Sequence, residues 1–126
     1  MPKGCDTPQM KSFGECSKQL QAINDALDIL RGKWKIQIIG SLTFGKKRFK
    51  EMQREVRGIT ARMLSKELKE LEINELVLRT VHNTTPVTVE YELTDYGKTL
   101  DKVIDGLRDW GTKHRKRIIK RDTAER

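Results

Sequence analysis

The 126-residue chain has no apolar run approaching the roughly 20 residues a membrane-spanning helix needs. Its opening stretch, MPKGCDTPQMKSFGE, has no apolar centre of the signal-peptide kind, so a cytoplasmic protein is expected. Cysteine is scarce: Cys5 and Cys16 both lie near the N-terminus, too few for a disulfide framework, and read as plain thiols. Aromatic residues make up 6%, which argues against the stacking platform of single-strand binders. His82 and His114 stand far apart and share no metal-ligand spacing with the cysteines. CxxC, HExxH and glycine-rich phosphate loops are all missing. No catalysis, metal or cofactor is therefore expected.

What the chain does have is positive charge. Its 26 Lys and Arg outnumber 18 Asp and Glu, for a net charge of +8. A basic protein of this size meets a polyanion, either nucleic acid or an anionic membrane surface, or is simply a basic soluble domain. The charge gathers in residues 46–69 and in a tail from Lys113 to Arg121. That tail lacks interleaved Trp, Phe or Leu for insertion, which tells against a lipid surface.

Length and composition fit one compact domain, with a core that is thin for a monomer. Residues 1–17, with Pro2, Gly4, Pro8 and Gly14, read as a flexible arm. Residues 18–112 read as the folded domain and 113–126 as a basic C-terminal tail.

Within the domain, Leu20, Ile23, Leu27 and Leu30 form one stripe of an amphipathic helix that Gly32 ends. Trp34, Ile36, Ile38, Ile39 and Leu42 make a second, more buried segment. Phe49, Met52 and Val56 mark a third helix, and Gly58 makes the turn after it. Thr60 is suited to cap a fourth helix, with Ile59 stapled onto Leu64. Residues 76–82 then read as a strand, Asn83 to Pro86 as a turn, and 87–93 as a strand alternating wet and dry residues. Thr94 caps a last long helix with the stripe Leu100, Val103, Ile104, Leu107 and Trp110. This is a mainly α chain with a β-hairpin, in the order of a winged helix-turn-helix.

The fourth helix carries the functional argument. Leu64, Leu68 and Leu71 point one way, while Arg62, Ser65, Lys66 and Lys69 point the other. A recognition helix needs both faces, one to hold it on the domain and one to reach base edges or phosphates. On this helix alone the alternative is an ordinary solvated face. Lys46, Lys47, Arg48 and Lys50 crowd the start of the third helix, where the helix dipole disfavours cations, which suggests a phosphate nearby. His82, Asn83, Thr84 and Thr85 at the hairpin tip, with Arg79 leading to it, suit a wing lying along a groove, or an exposed turn. The expected partner is double-stranded DNA. A protein-binding winged helix with an acidic partner is the competing reading.

At these residues the chain resembles the HxlR-type family of winged helix regulators. The resemblance runs from Ala26 to Trp110 through ALDILRGKWK, FGKKRFKEM, ITARMLSKELKELE, TPVTVEYELTDYGKTL and LRDWG. It implies sequence-specific DNA binding, usually to an inverted repeat, by a homodimer joined through the first and last helices. Many members carry a Cys-Pro pair before the first helix, and in some that cysteine senses oxidants or electrophiles. Here Ser17 follows Cys16, which lies about one helical turn further from the Gly-Lys-Trp block, so a sensor role for Cys16 is set against an inert thiol.

Overall fold

In the computed structural model the described backbone spans residues 13–125 and the described side chains span 16–123. The elements run α1 (Phe13–Ile29), α2 (Lys35–Leu42), β1 (Lys47–Arg48), α3 (Phe49–Glu55), α4 (Ala61–Ile73), β2 (Val77–His82), β3 (Thr88–Leu93), α5 (Asp95–Lys98) and α6 (Asp101–Glu125). The sheet is antiparallel in the order β1-β3-β2. Lys47 pairs with Tyr91 on one side of β3, and Arg79 pairs with the same Tyr91 on the other. The mainly helical fold with a hairpin wing matches the expectation.

The core is small and lies where α2, α3, α4 and the sheet converge. Ile38, Ile39 and Leu42 from α2 meet Met52 from α3, Leu64, Leu68 and Leu71 from α4, and Leu76, Val77, Tyr91 and Leu93 around the hairpin. Burial of such aliphatic side chains contributes about 1.5–3 kcal/mol each, and this drives the assembly.

Three features differ from the sequence expectation. First, α1 begins at Phe13, so residues 13–17 of the expected arm are helical, while 1–12 lie outside the described residues. Second, Lys47 and Arg48 form a short strand, because β3 offers a free edge beside them. Third, the last long helix is two helices. Thr94 caps only α5, accepting from Gly97 N at 2.9 Å, and α6 starts afresh at Asp101. The basic run from Lys113 to Arg121, which the sequence leaves either to extend the last helix or to fray from it, extends it, as α6 reaches Glu125.

Two helices leave apolar stripes outside the core. On α1, Leu20, Ile23 and Leu27 are about half exposed. On α6, Leu100 and Ile104 pack against the core, but Val103 and Leu107 are exposed, and Trp110 is 67% exposed and stacked on His114.

Candidate nucleic-acid interface

A tight corner sets α4 against α3. Gly58 takes φ +89°, a left-handed conformation that glycine adopts without a side-chain penalty. Val56 and Ile59 on either side are buried and pull the corner onto the core. Thr60 follows in extended conformation and its Oγ1 accepts from Met63 N at 3.2 Å, the N-cap its sequence position predicts. The Leu64–Leu68–Leu71 stripe is fully covered. Arg62, Ser65, Lys66 and Lys69 on the opposite face are all exposed. Arg62, Lys66 and Lys69 form no salt bridge among the described residues, so their charge is available to an incoming anion.

The cations before α3 are more engaged. Lys46 Nζ lies 3.4 Å from Glu92 Oε2 of β3. Lys47 is paired with Glu55 across the α2–α3 corner, and its side chain is only 13% exposed. Arg48 precedes α3, and its backbone N–H donates to Glu51 Oε1 at 3.1 Å. Arg48 and Lys50 are exposed. The crowding of cations at this helix start therefore has a partial internal explanation, with Glu55 pairing Lys47 and Glu92 pairing Lys46.

The wing tip is polar and exposed from Asn83 to Thr85. Thr84 Oγ1 donates to the Pro86 carbonyl at 2.7 Å, and Thr84 N donates to the His82 carbonyl at 2.8 Å. His82 Nε2 lies 3.1 Å from Glu90 Oε1 on the neighbouring strand. Arg79 is exposed beside Tyr91. The tip is thus braced internally, with its side chains still presented to solvent.

One group held against α4 escaped the sequence reading. Lys35, the first residue of α2, is 7% exposed, and its Nζ lies 2.6 Å from Glu67 Oε2 and 2.5 Å from Glu70 Oε2. Burial opposes its charge, but the hydrogen bonds and charges of the two carboxylates outweigh that and raise its pKa. Lys35 in turn holds Glu70 below the usual carboxylate range. A cation at a helix start was the available signal, since the dipole disfavours it there.

Cys16 is 4% exposed and disulfide-bonded, so the plain-thiol expectation does not hold for it. Cys5 lies outside the described residues. Among the described residues no cluster of His, Cys, Asp and Glu is placed to hold a metal ion, and no helix is long and apolar enough to cross a membrane.

The HxlR-like helix-turn-helix family matches residues 29–119. The chain is similar to the HTH-type transcriptional regulator YtcD of Bacillus subtilis strain 168, at 41% identity over 97 residues and 77% of each chain. Reduced YodB from B. subtilis is similar in structure, with a TM-score of 0.66 and 40% identity over 71% of this chain and 87% of that one. A MarR-family regulator from Enterococcus faecalis V583 gives a TM-score of 0.74 and 32% identity over 94% of this chain and 99% of that one. With a capped, basic-faced α4 set between a helix corner and a hairpin, and relatives that are regulators rather than enzymes, the chain belongs to the HxlR-like helix-turn-helix family of transcriptional regulators.

Proposed function

We propose that the protein binds a specific double-stranded DNA sequence as a homodimer and regulates transcription in the cytoplasm. The observation that carries this is the exposed, unpaired basic face of α4 opposite a fully buried stripe. Arg62, near the helix start, offers a bidentate fork to a guanine edge, with Ser65 and Lys66 one turn on. Thr60 and Lys69 sit where phosphates flank the groove. Lys46, Arg48 and Lys50, with Lys47 held behind them by Glu55, face the backbone of the same duplex. Arg79, His82, Asn83, Thr84 and Thr85 form the wing.

Dimerisation is supported by the α1 and α6 stripes, which the chain itself leaves open to water. Pairing them about a two-fold axis buries them and directs binding to an inverted repeat. A dimer that survives Leu107→Asp in sedimentation would count against this interface.

A response to oxidants or electrophiles through Cys16 is supported by one further observation. Cys16 lies on the same α1 face as Leu20, Ile23 and Leu27, by helical spacing. Disulfides in a reducing cytosol are mostly transient and redox-sensing. YodB has itself been crystallised in reduced, diamide-treated and quinone-bound forms.

Selection of duplexes from fragmented genomic DNA, with dithiothreitol or with diamide, tests both parts. Enrichment of a common inverted repeat is expected, with an affinity that differs between the two redox conditions. Recovery of unrelated fragments under both would contradict sequence-specific binding. Equal affinity would contradict the redox response.

A further inference from the structure

Among the described residues Lys35 is the buried cation, and its ammonium is ion-paired with two carboxylates of α4. From these contacts we infer that Lys35 is a positioning residue for DNA reading: it clamps α4 through Glu67 and Glu70, setting the rotation of the basic face and keeping two carboxylates off the DNA. The inference rests on the reading of α4 as the DNA-contacting helix.

The geometry places the clamp well for this task. At 3.6 residues per turn, Glu67 and Glu70 occupy one flank of α4, between the Leu64–Leu68–Leu71 stripe and the Arg62–Lys66–Lys69 face. Close packing of the leucine stripe seats the helix. Two ion-pair contacts at 2.5–2.6 Å on one flank add a directional restraint on its rotation. Lys35 is fixed in turn by α2, where Ile38, Ile39 and Leu42 are in the core.

Electrostatics points the same way. Glu67 Oε2 is buried, and its charge is met by the Lys35 ammonium 2.6 Å away. Glu70 also feels Lys66 and Arg31, which makes it a competitor of phosphate for Lys66. Without Lys35, Glu70 would turn to Lys66 and neutralise part of the reading face. A buried unpaired carboxylate at Glu67 would press α4 away from its seat.

The test compares the full-length wild type with Lys35→Met, Lys35→Arg and Lys35→Met/Glu67→Gln/Glu70→Gln. Each is titrated on the duplex enriched from genomic DNA and on a random duplex of equal length, and amide hydrogen exchange is followed in parallel. Lys35→Met is expected to lose about tenfold or more on the enriched duplex and under about threefold on the random one. Lys35→Arg should stay within about threefold of wild type on both, because it keeps the charge. The triple variant removes the buried charges and should melt near wild type. It recovers the part of the loss owed to the freed carboxylates but not the part owed to the lost clamp, so its preference stays about threefold or more below wild type. Amides of α4 should exchange faster in Lys35→Met while those of β2 and β3 do not.

An unchanged preference in a folded Lys35→Met, or exchange accelerated evenly along the chain, would overturn the clamp. If Lys35→Met does not fold, the triple variant supplies the same comparison. Should the wild type prefer no duplex, the DNA reading itself fails, and the exchange pattern alone decides whether Lys35 holds α4.

Discussion

The Lys47 ammonium is paired with Glu55 across the α2–α3 corner, and the same Glu55 Oε2 accepts a hydrogen bond from Ser41 Oγ at 2.6 Å. The hydrogen bond from Lys47, then that from Ser41, lowers the Glu55 pKa. A phosphate approaching this corner must therefore compete with a carboxylate that already holds the cation.

This relationship separates two lysines that look alike in sequence. Lys69→Ala removes an exposed, unpaired cation and should flatten the salt slope of binding to random duplex by about 0.9. Lys47→Ala should flatten it by less and lower the melting temperature instead. Glu55→Gln frees Lys47 and should steepen the slope. Fluorescence anisotropy over a salt series checks all three, and equal slopes for Lys47→Ala and Lys69→Ala would refute the pairing argument.

Gly97 tests the junction between the wing and the C-terminal helices. A β-carbon there would stand 2.2 Å from the Leu76 carbonyl oxygen, which already accepts from Thr94 N at 3.0 Å. The obstacle is backbone, so it has little room to move. Gly97→Ala should cost about 1–3 kcal/mol in urea unfolding, the usual scale for overpacking. Gly106→Ala meets nothing within 4 Å in a helix and should gain about 0.4–1 kcal/mol. A neutral Gly97→Ala would show that the close approach is not rigid.

The shifted carboxylates set a direction for acid sensitivity. Glu55 and Glu70 both have lowered folded-state pKa values, so their contribution is present above the unfolded value of about 4.3 and lost as pH falls through the folded values. Lys35 is raised, so its contribution is present below about 10.4 and lost only as pH rises through its folded value. Melting temperatures should therefore fall on acidification below about pH 5, and less steeply in Glu55→Gln/Glu70→Gln. Identical acid profiles for the two proteins would exclude these carboxylates as the cause.

How much of this was legible follows from the range of each signal. The α4 helix was readable because its apolar and charged residues repeat at helical spacing and Thr60 stands at its start, all within one short segment. Strand β1 was not, because Lys47 and Arg48 have no periodicity and are a strand only by virtue of Tyr91 and Glu90 opposite them. The break between α5 and α6 hid behind a continuous stripe through Leu100 and Ile104. Lys35 could not be read as an ion-pair centre because its partners lie more than thirty positions away, and its place at a helix start is a local sign that names no partner. The basic face of α4 was named from sequence, but the clamp that orients it appears only in three dimensions.

The central claim is that α4 reads bases through Arg62, and equilibrium titration of wild type and Arg62→Ala on the enriched and random duplexes tests it most directly. The account predicts a loss of about 1–3 kcal/mol on the enriched duplex, relaxed preference at one base position, and a much smaller loss on the random one. Equal losses on both duplexes, or none on the enriched one, would contradict it.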